Sequence, residues 1–466
     1  MALNYFFAIF FLVLGLSALF FGARILSFFI EVLKQQKLSK NIGISLSLVG
    51  LFILISILNI ENWHHRMWSV ASFIFGIGFF IRGLSFIFLR EWFFGPLDFL
   101  KNKIPITFSI STFILFMSFS LLTLTRDYLG PVEDISDCED GPELRVYCVL
   151  SNPEDILKTP DEKYFIVSEF GGIKPYEEPK QGSLALFNLS TKMREDLDIE
   201  LGSNVWGDPK CQRANLRFGP HGIDLNKRYD GSYQLAVVNH YPQESVEFFE
   251  LVFDGNWSLI WRGCVSVPEK YYINDITVES SGSFFTTHMY PRDISMNEWL
   301  SAAIFKYPTG VVLFWNKFKF EELSFTNAGQ PNGIAKKDNI LYVANNLSDK
   351  VTAYDLIKKE EVFSYSINSP DNLVIDDNSI WVTSLDHETL DVTAKCPGYT
   401  LKGIEEDHMV CSLPFKVIEL SAKDLTPINI FTFNKNKAAF PTVALPDGDS
   451  VWVGSFSLDR LVSFEN

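Results

Sequence analysis

Hydrophobic positions along the chain follow two rules, and the change falls near Thr125. Before it, apolar residues run on without interruption. Residues 1–23, 41–60 and 104–125 contain no Asp, Glu, Lys or Arg, and residues 68–88 contain only Arg82. As helices rising about 1.5 Å per residue, each of these four stretches is long enough to cross a hydrocarbon core of about 30 Å. Arg82 sits close enough to the Arg90 end of its stretch to snorkel toward an interface. Beyond Thr125 a different pattern recurs six times: a polar residue opens a short apolar strand, a Gly, Asp or Asn turn follows, and a second strand comes next. The openings are Glu154, His221, Asn274, Asn332, Asn372 and Thr442. Such recurrence, with turn chemistry between β-rich runs, predicts radially repeated sheets. The expected fold is therefore an N-terminal all-α transmembrane bundle of four helices followed by an all-β six-bladed β-propeller, in which the strand-opening residues converge on one axis.

The pattern also sets boundaries: a membrane region over 1–127, an acidic linker rich in Pro, Gly and Asp over 128–143, and the propeller over 144–466. The last repeat supplies about three strands, so the apolar segment 144–150 is expected to join it and close the ring. Residues 391–414, with two cysteines, read as a surface loop or lid inserted in the fifth repeat.

Charge and cysteines add placement. A formal charge of -16 excludes a nucleic-acid partner, which needs clustered Lys and Arg, and suits a face that attracts divalent cations. Arg24, Lys34, Lys37 and Lys40 follow the first crossing and Arg90, Lys101 and Lys103 the third, so these two loops are expected to be cytoplasmic and the propeller extracytoplasmic. All six cysteines (Cys138, Cys148, Cys211, Cys264, Cys396 and Cys411) lie in the outward part and none in the membrane region. Cys396 and Cys411 flank the insertion and are candidates to close it in an oxidising compartment, against a reading of all six as buried free thiols. Asn188, Asn256 and Asn346 open glycosylation sequons. His64 and His65, beside Trp63 and Trp68, read as interfacial residues. His288 and His387 are placed near a pocket mouth.

The six openings stand in ordered motifs: PEDI at Glu154 and Asp155, GPHGI at His221, VVNH at His240, INDI at Asn274 and Asp275, PNGI at Asn332, and PDNL at Asp371 and Asn372. In that order they resemble the paraoxonase family of calcium-dependent lactonases and arylesterases, six-bladed propellers akin to gluconolactonases; the membrane part is outside the resemblance. The resemblance implies two calcium ions. Glu154, Asn274, Asn332, Asp371 and Asn372 would hold a catalytic one, and Asp155, Asp275 and the backbone carbonyl of Ile223 a structural one. The donors are all hard oxygens, which calcium accepts in sets of about six to eight, whereas magnesium demands a tighter octahedron. His221 matches the family's general base, with His240 behind it. The alternatives are turn chemistry at strand entries for the Asp and Asn residues, and satisfied buried histidines for His221 and His240. The family usually joins the ends of its propeller by a disulfide whose second cysteine would fall near Ser463, so that latch is missing here.

The function expected is a membrane-anchored, calcium-dependent hydrolase of lactones or aryl esters that takes small lipophilic substrates. The rival is a non-catalytic, calcium-stabilised propeller acting as an extracytoplasmic binding or sensing domain.

Overall fold

The computed structural model describes all residues except 1, 61–62, 64–65, 94–95, 97–98, 101–104, 126–130, 388–390, 392–394, 397–408 and 435–436. His64, His65 and most of the 391–414 insertion therefore lie outside the described residues. The chain divides into two compact units, residues 1–132 with 393–399, and the remainder.

Among the described residues the first unit holds four long helices: α1 (Ala2–Lys34), α2 (Gln36–Leu58), α3 (Met67–Phe88) and α4 (Pro105–Thr125). All four are long and apolar enough to cross a membrane. One expectation is corrected: the basic loop after the first crossing is not a loop. Residues 24–34 contain no Gly or Pro to stop a helix, Lys34 pairs with Glu31 one turn back at 2.9 Å, and α1 continues to Lys34. Only Gln35 is extended (φ -99°, ψ 103°), so Lys37 and Lys40 already belong to α2. The helices meet through small residues. A Cβ built on Gly50 of α2 would lie 2.5 Å from the Phe80 nitrogen and 2.7 Å from the Gly76 oxygen of α3, and one on Gly43 would lie 2.7 Å from the Gly83 oxygen. Ser39 Oγ donates to the Phe86 carbonyl at 2.9 Å, and Ser120 Oγ of α4 to the Ala8 carbonyl of α1 at 2.7 Å. In a bilayer, where lipid tails would remove the hydrophobic gain from helix contact, close backbone approach and such hydrogen bonds are what would hold helices of this kind together.

The second unit is a ring of six antiparallel sheets. Their innermost strands are Pro153–Lys158, Pro220–Lys227, Ile273–Val278, Pro331–Lys337, Pro370–Asp376 and Pro441–Asp447, one for each of blades 1 to 6. Blade 2 gains a fifth strand, Asp198–Leu201, parallel to its outer edge. Blade 6 is completed from the other end of the domain: Arg145–Tyr147 pairs antiparallel with Leu461–Glu465, placing Arg145 opposite Ser463. Alternation along a strand sends neighbouring residues to different blades. In Ser379–Leu385 of blade 5, Ile380 and Val382 pack toward blade 4 while Trp381 packs toward blade 6. Both faces of a blade are thus buried, which is why its second strands read as continuous apolar runs.

The thiol reading is settled. Cys138 joins Cys148, Cys211 joins Cys264, Cys396 and Cys411 are disulfide-bonded, and no cysteine is free.

Candidate functional site

Every innermost strand shifts register against its neighbour near its start, at the second residue in blade 1 and at the second and third in the other five: between Pro153 and Asp155, Pro220 and Ile223, Ile273 and Ile276, Pro331 and Ile334, Pro370 and Leu373, and Pro441 and Ala444. A bulge re-aims the side chains it contains. The residues released from the ladder include the six openings the sequence singles out, and Glu154, His221, Asn274, Asn332, Asn372 and Thr442 are all buried. Two glycines make room for this crowding. A Cβ on Gly222 would lie 2.6 Å from Asp275 Cα, and one on Gly333 would lie 2.5 Å from both Asn372 Cα and the Asp371 oxygen.

The bulged residues touch one another around the ring. Asn372 Nδ2 donates to Glu154 Oε1 at 2.9 Å, His221 Nε2 lies 3.5 Å from Glu154 Oε1, and Asn274 Nδ2 lies 3.5 Å from His221 Nε2. The Asn332 side chain is hydrogen-bonded to Asp371. Thr442 Oγ1 donates to the Glu154 carbonyl at 2.5 Å and closes the circle from blade 6. Five residues proposed for one ion are therefore linked, with His221, into one cluster. Asp155 and Asp275 sit one step along their strands, and their carboxylates staple adjacent blades: Asp155 accepts from the Ile156 and Ile223 N–H groups, and Asp275 from those of Ile276 and Ile334. Ile223 thus meets Asp155 through its N–H group.

The electrostatics of this cluster are unbalanced. Burial pushes the Glu154 carboxyl up to about 8. Asp155, Asp275 and Asp371 are likewise held well above the usual carboxylate range, first by burial and then by neighbouring carboxylates. Among the described residues, no Lys or Arg contributes to any of the four. Four buried oxygens, Glu154 Oε2 and the Oδ1 atoms of Asn274, Asn332 and Asn372, have no hydrogen-bond partner. Leaving such a group bare costs about 1–3 kcal/mol, and all four belong to the residues expected to hold one ion. Oxygen donors without partners, set among uncompensated carboxylates, fit a hard cation of the calcium type.

A chain of three side chains enters from blade 2. His221 Nδ1 lies 2.8 Å from His240 Nε2, and His240 Nδ1 lies 2.9 Å from Glu244 Oε2. The other oxygen of Glu244 accepts the Ile273 N–H at 2.8 Å, one residue before Asn274. Burial, and then His240, hold His221 well below the usual imidazole range, so its contact with Glu154 is not an ion pair. Phe170 covers His221 at 4.6 Å between ring centroids, and Tyr272 covers His240 at 5.0 Å. Met289 touches Asn274, and with Phe170, Ile173, Tyr290 and Trp299 it forms an apolar wall against the cluster.

Sequence reasoning missed Glu244, Phe170 and Met289. An acid four residues after His240 was a usable signal for the first; the aromatic and sulfur neighbours carried none. His288 and His387 do not join the cluster. His288 Nδ1 accepts the Tyr272 N–H at 3.1 Å, with burial pushing its imidazole down to about 4, and His387 Nδ1 lies 3.0 Å from the Pro414 carbonyl.

A family model described as arylesterase matches residues 145–392, more than half of the chain. The chain belongs to the arylesterase family. The matched span includes every bulged residue of the cluster except Thr442, together with His240 and Glu244. No curated protein matches the chain. Among solved structures it is similar to a luciferin-regenerating enzyme (15% identity, 72% of this chain and 95% of that one, TM-score 0.39). It is also similar to a putative gluconolactonase (11%, 71% and 97%, TM-score 0.38) and to regucalcin, a calcium-binding protein of Agrobacterium tumefaciens (11%, 68% and 90%, TM-score 0.37). At these scores nothing about the activity of this arylesterase-family chain follows from the structural likenesses.

Proposed function

We propose that this chain is a membrane-anchored, calcium-dependent hydrolase of lactones or carboxylic aryl esters, with its propeller on the extracytoplasmic side. Membership of the arylesterase family supports the hydrolase, and four long apolar helices support the anchor. The observation that carries the calcium reading is the set of four partnerless oxygens on Glu154, Asn274, Asn332 and Asn372. With Asp371 they would hold the ion of the reaction, while Asp155, Asp275 and the Ile223 carbonyl would hold a second, structural one. Bound there, calcium would supply a Lewis acid that polarises an ester carbonyl and balances charge on its oxygen.

The protein's own residues divide the remaining work. The neutral His221 presents Nε2 to the centre of the cluster, where it takes the proton of the attacking water. His240 holds the His221 ring from behind. The wall of Phe170, Ile173, Met289 and Tyr290 receives the apolar part of the substrate and keeps bulk water from the histidines. A lipophilic lactone or ester suits that wall and concentrates at a membrane.

Full-length protein in detergent, offered phenyl acetate and a panel of lactones, is expected to show turnover that a chelator removes and calcium restores. Turnover indifferent to chelation would remove calcium from the reading, and no turnover on any substrate would leave a binding or sensing propeller. Cysteine placed at Lys37 is expected to resist labelling from outside intact cells.

A further inference from the structure

We infer that Glu244 is a positioning residue that sets which nitrogens of His240 and His221 carry hydrogen, making a three-membered relay whose open end is His221 Nε2. The inference deepens the hydrolase reading and rests on it. It starts from the two oxygens of one buried carboxylate. Glu244 is 5% exposed, and each of its oxygens faces a different nitrogen: the Ile273 backbone N–H at 2.8 Å and His240 Nδ1 at 2.9 Å. The backbone nitrogen can only donate, and an ionised carboxylate can only accept. Hydrogen therefore sits on His240 Nδ1. In a neutral imidazole that leaves Nε2 as the acceptor, and the atom 2.8 Å away is His221 Nδ1, which must then be the donor. With one hydrogen on each ring, that placement leaves His221 Nε2 bare. That lone pair faces Glu154 Oε1 and Asn274 Nδ2, each at 3.5 Å. The pattern is one-directional: reversing the hydrogen on His240 would reverse it on His221 and turn an N–H toward the reaction centre.

The same carboxylate ties this relay to the proposed ligand set. Ile273 precedes Asn274, so Glu244 fixes the start of the strand that delivers Asn274 while it fixes the base. When His221 takes a proton at Nε2, its Nδ1 hydrogen bond to His240 shortens the path for positive charge to spread toward Glu244, and the carboxylate stabilises the imidazolium that forms. The water oxygen bonds to the acyl carbon as its proton moves to His221 Nε2, the acyl carbon–oxygen bond to the leaving group breaks, and His221 passes that proton to the leaving alkoxide or phenoxide, so no oxidant or further reactant is involved.

Glu244→Gln separates this role from simple packing, because an amide has one acceptor and one donor end. If its oxygen serves Ile273, its NH2 meets His240 Nδ1 and forces hydrogen onto Nε2. If its oxygen serves His240, its NH2 opposes the Ile273 N–H. The test uses full-length chain in detergent, labelled with [15N]histidine, with the signals of His221 and His240 assigned through His221→Gln and His240→Gln. In the wild type, Nδ1 of both rings is expected to be the protonated type and Nε2 the bare type. In Glu244→Gln the two types exchange on at least one ring, kcat falls by about 100-fold or more, and KM stays within about a factor of two. Glu244→Asp keeps two acceptors on a shorter arm, so it is expected to retain the wild-type nitrogen types and recover part of kcat. A wild type with bare Nδ1 on His240 overturns the inference without any variant. So does a folded Glu244→Gln with unchanged nitrogen types or wild-type kcat, and should that variant fail to fold, Glu244→Asp with exchanged nitrogen types does the same. If the wild type hydrolyses no ester, the hydrolase reading fails by itself, while the nitrogen signals still report whether Glu244 sets the pattern.

Discussion

Gly333→Ala is the sharpest probe of the ring because the added carbon meets backbone alone. Its Cβ would lie 2.5 Å from Asn372 Cα, 2.5 Å from the Asp371 oxygen and 2.7 Å from the Leu373 nitrogen. Ordinary contacts of this kind are about 3.5–4.0 Å. The innermost strand of blade 5 must therefore retreat by about 1 Å, and no side-chain rotation can substitute for that movement. Overpacking of this kind costs about 1–3 kcal/mol. Asp371 and Asn372 are two of the five proposed ligands, and calcium holds its oxygens within about 2.3–2.6 Å, so the displacement falls on the loaded state. The same 1–3 kcal/mol read as affinity is a rise in Kd of about 5- to 150-fold. Calcium titration of the full-length protein by calorimetry, with thermal melts alongside, measures both quantities. Gly448→Ala is the control: Gly448 has φ +58° with nothing within 4 Å of a built Cβ, so alanine there costs about 1–2 kcal/mol of left-handed strain and leaves calcium affinity unchanged. A Gly333→Ala protein that binds calcium within twofold of wild type would refute the convergence argued for these strands.

Three other outcomes are expected. Glu154 has a folded value of about 8 against an ordinary 4.5, so between those values the folded, ion-free protein holds the extra proton; its melting temperature should fall as pH rises from about 4.5 to 8, and calcium should flatten that slope. Of the three sequons, Asn346 is buried with its amide donating to the Pro370 carbonyl, and Asn188 is half-buried and donates to Glu195, whereas Asn256 stands exposed; expression through a eukaryotic secretory route should add one glycan, lost in Asn256→Gln, and no glycan at all would count against an extracytoplasmic propeller. Gly50→Leu drives a side chain into the backbone of α3 and should lower the melting temperature of the helical unit in micelles, whereas Gly78→Leu, with open space around its Cβ, should not.

The six openings were legible because a propeller writes its symmetry into the chain: each repeat must supply a bulged entry, a turn and a two-faced apolar strand. The seam of blade 6 was legible for the same reason, since one repeat lacked a strand and an apolar segment upstream lacked a partner. What escaped reading were features set by close approach. Gly43, Gly50, Gly76 and Gly83 look like ordinary apolar filler until two helices are brought together, and Glu244 looks like a surface acid until Ile273 and His240 close on it from different blades. The continuation of α1 to Lys34 was missed because charge at Arg24 was weighed as a boundary, although nothing in the following residues breaks a helix. The three sequons could not be ranked from sequence because the motif records residue type and ignores whether the amide is already engaged, as those of Asn346 and Asn188 are.

The join between Arg145–Tyr147 and Leu461–Glu465 brings together segments 320 residues apart, as the contact of Arg145 with Glu465 measures it. Gathering ends that distant costs about 5 kcal/mol of chain entropy before a constant term; Cys138 and Cys148 bridge each other locally, so the cost is offset by three paired residues, by the Leu150 and Asn152 N–H groups donating to the Asp459 and Leu458 carbonyls at 3.1 and 2.6 Å, by Arg460 donating to the Ile135 carbonyl at 2.7 Å, and by packing. The circle therefore behaves like a bracelet with a single clasp. Each time that clasp springs, blade 6 loses its outermost strand, and the inner strand that carries Thr442 keeps its place with less support behind it.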